Sequence, residues 1–127
     1  MNTTGSRTPL IAGNWKMYKT VADAEAFIQA LLPRVSTAAA DVGICPPFLA
    51  LQAMVDSTRG SRVEVFAQNM HYSAEGAFTG EVSPPMVVET GAHGVVLGHS
   101  ERREYFALER LWGDAPDVTA LMRPAGT

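Results

Sequence analysis

Four short apolar runs, Pro9–Ala12, Val42–Cys45, Val63–Ala67 and Gly94–Leu97, recur along the chain with helical or loop-like stretches between them. That recurrence constrains the fold more than any other feature. Runs of four or five mostly apolar residues suit strands buried on both faces, which is the condition of a parallel sheet. Parallel neighbours need a crossover between them, so the pattern predicts βα units. A closed barrel and a doubly wound open sheet both satisfy it. No Gly-x-Gly-x-x-Gly follows the first run, which argues against dinucleotide binding.

The intervening stretches read as helices. Thr20 and Asp23 have the spacing of a capping box, and Ala24, Phe27, Ile28, Leu31, Leu32 and Val35 then share one helical face. Pro33 cannot donate to the ladder, so the helix is expected to stop or kink just before it. Phe48, Leu51, Gln52 and Val55 begin a second helix that ends before Gly60. Pro84 to Glu89 is a third, short helix. The long segment from Gln68 to Glu81 reads as a loop, and loops of that length usually carry function.

Composition narrows the function classes. The 127 residues make one ordinary domain, about half the length of a typical (β/α)8 barrel. An apolar fraction of 46% with 18% charged residues supports a packed core. The net charge of −3 gives no reason to expect nucleic acid or an anionic membrane as partner. Cys45 is the single cysteine, so no internal disulfide can form and a reducing compartment fits. No apolar run approaches a membrane span. Residues 1–8 are a polar extension without the apolar core of a secretory signal.

Two of the apolar runs end in chemistry. Asn14 and Lys16 follow the first run, and His99 and Glu101 follow the fourth. Parallel strands carry such residues to the same end of a sheet, so one polar pocket is expected there. Taken singly, an Asn-x-Lys pair is more often a solvated turn, and a lone histidine is more often structural. The setting of His99 raises its weight. Ser100 is placed to cap a helix beginning at Glu101 and Arg102. The partial positive charge of that helix end favours a neutral imidazole, which can donate to a carbonyl oxygen as charge develops on it. His71 and His93 lack this setting and read as structural.

The words Gly13-Asn14-Trp15-Lys16-Met17, Gln68-Asn69, Gly76-Ala77-Phe78-Thr79-Gly80-Glu81 and Gly98-His99-Ser100-Glu101-Arg102-Arg103 occur in that order. Together they closely resemble the first half of triosephosphate isomerase over residues 9–106. The resemblance implies an α/β fold made of parallel (β/α) units of a TIM barrel, about four of the eight, a half barrel. It implies interconversion of dihydroxyacetone phosphate and D-glyceraldehyde 3-phosphate through an enediolate, in a cytoplasmic enzyme of glycolysis and gluconeogenesis. His99 would be the electrophile that polarises the carbonyl. Lys16 would be catalytic and substrate-binding, Asn14 would bind substrate, and Glu101 would be a supporting carboxylate. Thr79 and Phe78 would lie at a homodimer interface. No cofactor and no metal are implied, and the partner is a small phosphorylated triose.

From Ala107 the resemblance stops. The family continues with a glycine, an acidic helix start and four more βα units. These bring the glutamate base, the closing lid loop and the glycine-rich phosphate nest, and residues 107–127 match none of them. The tail is expected to be sequence foreign to the barrel, without a fifth strand after Gly113. Both outer edges of a four-stranded sheet would then be unpaired. Catalysis by these residues alone is not expected, and the alternative to an isomerase is an inactive remnant or misread gene product. An unrelated phosphate-binding α/β module would need a glycine-rich loop before a helix, and none is present.

Overall fold

Thr20 and Asp23 start the first helix as a reciprocal cap. The Thr20 Oγ1 accepts from the Asp23 N–H and the Asp23 Oδ2 accepts from the Thr20 N–H, both at 3.3 Å. In this computed structural model, which describes residues 7–105 and 120–122, the elements alternate throughout. They are β1 (Leu10–Asn14), α1 (Val21–Val35), β2 (Asp41–Cys45), α2 (Phe48–Thr58), β3 (Val63–Ala67), α3 (Pro84–Thr90), β4 (Gly94–Leu97), α4 (Ser100–Tyr105) and β5 (Ala120–Met122).

Strands β1 to β4 pair in parallel and in chain order, with Leu10 opposite Asp41, Val42 opposite Val63 and Phe66 opposite Gly94. Each crossover therefore steps one strand in the same direction, as in a barrel and not in a sheet that reverses its order. The C-terminal ends of β1, β2, β3 and β4 all lie on one side.

Period-two alternation divides the buried side chains between the two faces of the sheet. Ile44, Val63, Val65, Ala67 and Val95 pack with Ala24 and Ile28 of α1, Leu51, Met54 and Val55 of α2, and Val87 of α3. Cys45, Phe66 and Val96 form a second cluster from the alternate positions. A Cβ on Gly43 would stand 2.7 Å from Cε2 of Phe66, so the missing side chain leaves the space that this ring fills.

Three expectations need correction. Helix α1 runs through Pro33 to Val35. The proline falls in the last turn, where one ladder bond is lost while Leu31, Leu32 and Val35 still pack on the core. Phe27 is 39% exposed, and its ring meets Trp15 edge-on at 5.3 Å, outside the sheet. A strand does follow Gly113. β5 pairs antiparallel with β4, with Val95 opposite Met122 and Leu97 opposite Ala120, so the outer edge of β4 is covered. The outer edge of β1 has no partner strand among the described residues, and Ile11 there is 63% exposed. No helix among the described residues is long and apolar enough to cross a membrane.

Candidate active site

The loop after β1 is held by its backbone. Trp15 is buried, and its N–H donates to the Cys45 carbonyl at 3.1 Å, docking the loop on the end of β2. Lys16 follows with φ 54° and Lys19 with φ 77°, both in the left-handed region. For a residue with a Cβ that conformation costs about 1–2 kcal/mol, so other contacts must hold it. The Asn14 Oδ1 accepts from the Lys16 N–H at 2.9 Å. The Gln68 Nε2 donates to the Lys16 carbonyl at 2.8 Å. The side chain that emerges places its Nζ 2.6 Å from the Glu101 Oε1.

Gly98 follows β4, and its φ of 66° turns the chain into α4. A side chain there would be strained by the backbone angle alone. The Arg103 guanidinium donates to the Gly98 carbonyl. The helix cap differs from the sequence expectation. Ser100 is the first helical residue, and His99 takes the capping position, its Nδ1 accepting from the Glu101 N–H at 3.1 Å. An imidazole nitrogen that accepts a backbone N–H carries no proton, which leaves Nε2 as the donor of the neutral ring.

Glu101 serves both neighbours. Its Oε1 takes the Lys16 ammonium, while Oε2 stands 3.8 Å from the His99 Nδ1, too far for a hydrogen bond. The Lys16 hydrogen bond, with partial desolvation opposing it, lowers the Glu101 carboxyl from its ordinary range. The same hydrogen bond and the charge of Glu101 raise the Lys16 ammonium. Both side chains stay about half exposed, 49% and 44%, so a ligand can reach them.

Asn14, Lys16, Gln68, Asn69, His99 and Glu101 line one cavity of about 230 Å³ at the C-terminal ends of the strands, with Met17, Pro47 and Phe48 as apolar wall and Arg102 beside them. The arrangement offers a cation, an imidazole donor and carboxamides to a small anionic, carbonyl-bearing ligand. Among the described residues no group of three histidine, cysteine or carboxylate side chains could hold a metal ion.

The four residues expected to form a pocket, Asn14, Lys16, His99 and Glu101, thus share one. Phe78 and Thr79 lie elsewhere, exposed on the 68–81 loop. There the Phe78 ring stacks on His71 with centroids 4.0 Å apart. His71 accepts from the Ser73 N–H and His93 from the Val65 N–H, both at Nδ1 and 3.0 Å, uses that belong to the backbone. Gln68 received no role from its sequence. Its signal was position, since it stands first after the third apolar run and is polar.

Comparison with known proteins gives this geometry a family. A sequence model of the family described as triosephosphate isomerase matches residues 9–111, running past Phe106, where the resemblance was expected to stop. Triosephosphate isomerase of Clostridium botulinum (strain Loch Maree / Type A3) is 51% identical over 100 residues, which cover 79% of this chain and 40% of the relative. The protein of that name from Carboxydothermus hydrogenoformans is 52% identical over 101 residues, with the same coverage. A crystal structure of triosephosphate isomerase from Bartonella henselae superposes with a TM-score of 0.74 at 35% identity, covering 80% of this chain and 42% of that one. The chain therefore spans about 40% of the length of the curated relatives it matches. With the parallel strand order, the pocket at the strand ends and a match over residues 9–111, the chain belongs to the triosephosphate isomerase family.

Proposed function

We propose that this chain carries the electrophile-and-cation part of a triosephosphate isomerase active site, acting on dihydroxyacetone phosphate and D-glyceraldehyde 3-phosphate in glycolysis and gluconeogenesis. One observation carries the reading: the 2.6 Å contact of Lys16 with Glu101 beside a His99 whose free donor is Nε2. In this reading the His99 Nε2–H donates to the substrate carbonyl oxygen as enediolate charge builds there, and it moves protons between the two oxygens. Lys16 supplies fixed positive charge to the substrate, Asn14 holds both the Lys16 backbone and the substrate, and Glu101 keeps the ammonium in place. Isomerisation also requires a base at carbon. Glu101, the one carboxylate among the described residues that line the cavity, is committed to Lys16. The base, the lid and the phosphate nest are assigned to the part of the relatives that this chain does not span.

The same reading places Thr79 and Phe78 at the two-fold interface of a homodimer and the protein in the cytoplasm. The exposure of both residues on the 68–81 loop supports the first point. A second reading, an inactive chain, draws support from β5. An antiparallel strand occupies the edge of β4 where a barrel would carry its next parallel strand. The test is a titration of the 127-residue chain with dihydroxyacetone phosphate, following the His99 and Lys16 resonances, with a coupled isomerisation assay on the same sample. The isomerase reading expects both residues to respond and no turnover by these residues alone. No response favours the inactive chain. Turnover lost in His99→Gln would make another carboxylate the base.

A further inference from the structure

We propose that Gln68 is a positioning residue for Lys16, one carboxamide tying two backbone carbonyls together so that the lysine ammonium stays beside Glu101. The inference rests on the isomerase reading of this pocket and adds to it a residue outside the four already given roles.

Gln68 follows the last residue of β3 and lines the cavity. Its Nε2 carries two hydrogens, and the structure uses both. One goes to the Lys16 carbonyl at 2.8 Å and the other to the Cys45 carbonyl at 2.7 Å. Those acceptors belong to the loop after β1 and to the end of β2. A single side chain just past the third strand therefore fastens the ends of the first two. The Cys45 carbonyl is itself shared, because it also accepts the Trp15 N–H at 3.1 Å, and an amide oxygen has two lone pairs to offer.

Lys16 is where this fastening matters. Its φ of 54° is a conformation that residues with a Cβ leave unless held. Two carboxamides hold it from either side: the Asn14 Oδ1 accepts from the N–H and the Gln68 Nε2 donates to the C=O. If the carbonyl is released, the residue can return to an ordinary backbone angle. The side chain then leaves in another direction, and the 2.6 Å approach to Glu101 is lost. Only an amide does this. A carboxylate of the same size would face two carbonyl oxygens with no hydrogen to offer, and an apolar side chain would leave both unserved.

The experiment uses the whole chain and a probe already in it. Lys16 and Lys19 are the only lysines, so the ¹⁵N resonances of their side-chain ammonium groups give a site and an internal control. In the unsubstituted chain, Glu101→Gln is expected to shift the Lys16 ammonium resonance and leave Lys19 in place. In Gln68→Met that shift is expected to vanish, with the backbone amide spectrum of β2 and β3 retained. Gln68→Glu is expected to lose it as well. Persistence of the Glu101-dependent shift in both variants overturns the proposal. Unfolding of both also overturns it, since Gln68 would then be a general stability residue. A titration of the unsubstituted chain with dihydroxyacetone phosphate separates the two levels. A chain that ignores the ligand but keeps the Gln68-dependent shift loses the isomerase reading and keeps the positioning role.

Discussion

The layer between the sheet and its helices and the polar rim at the strand ends are built by different means. In the layer, Ile28, Met54 and Val65 have no exposed surface and are held by the shape of their neighbours. At the rim, Lys16 and Glu101 are about half exposed, and position comes from hydrogen bonds between side-chain amides and the backbone. Among the described residues, the two non-glycine residues with positive φ, Lys16 and Lys19, both lie in the loop after β1. The layer accounts for stability, while the rim holds strained backbone so that a cation and an imidazole face one cavity.

The largest effect that would break this contrast is in the layer. Met54→Ala or Ile28→Ala should lower stability by about 2–5 kcal/mol, because each removes a fully buried side chain and leaves a cavity. Urea unfolding measures it. A loss below about 1 kcal/mol would mean that the site collapses easily and is no more rigid than the rim.

Next comes the opposite face of the sheet. Gly43→Ala places a Cβ 2.7 Å from one carbon of the Phe66 ring and 3.3 Å from another. Phe66 has no exposed surface into which to move. Overpacking of this kind costs about 1–3 kcal/mol. A neutral Gly43→Ala would show that the cluster of Cys45, Phe66 and Val96 is loose and that only the helix-covered face is a core.

Much of the layer was readable in the sequence, and less of the rim. Apolar runs locate β1 to β4 because strands packed within a parallel sheet are mostly apolar, with polar residues only at a few positions such as Glu64. Thr20 and Asp23 announce α1 because both halves of a capping box are local. The strand ends that gather Asn14, Lys16, His99 and Glu101 follow from parallel pairing alone. What was hidden depends on contacts between distant segments. The preference of serine for caps points to Ser100, yet the His99 ring takes the N–H, since ring position is decided by the turn at Gly98. Nothing local marks Lys16 for a left-handed backbone, because its two restraints come from Asn14 and from Gln68, 52 residues away. β5 was missed because its three residues, Ala120 to Met122, are too short to show a period, and an antiparallel partner departs from the pattern of the first four strands.

A smaller effect sharpens the contrast by reversing its sign. Lys16→Gly removes the left-handed penalty of about 1–2 kcal/mol. It adds about 0.5–1 kcal/mol of backbone entropy lost on folding. Stability should therefore hold or rise by up to about 1.5 kcal/mol, while the response of His99 to dihydroxyacetone phosphate weakens. Thermal unfolding and the ligand titration check the two halves. A clear loss of stability would place Lys16 with the structural residues.

The smallest effects are in the pH dependence, where the buried sheet and the rim separate by window. Burial pushes the Cys45 thiol up to about 11, whereas an unfolded cysteine titrates at about 8.5. The folded state therefore holds that proton more tightly, and its contribution is present below about pH 8.5 and lost as pH rises toward 11. Lys16 is raised by its Glu101 partner, so its contribution is intact below the unfolded lysine value of about 10.4 and lost only above it. Glu101 is lowered by Lys16, and its contribution is present above the unfolded carboxylate value of about 4.3 and lost as pH falls through the folded value beneath. Between roughly pH 8.5 and 10.4 the loss assigned to these three groups thus belongs to Cys45, buried on the sheet face opposite the helices, and not to the rim. Urea midpoints across that range should fall in the unsubstituted chain and flatten in Cys45→Ala. Glu101→Gln should leave that slope unchanged and soften only the acid limb, the more so at low salt, where a half-exposed pair is least screened. An alkaline slope that survives Cys45→Ala but disappears in Glu101→Gln would assign the titration to the rim and erase the distinction between the two regions.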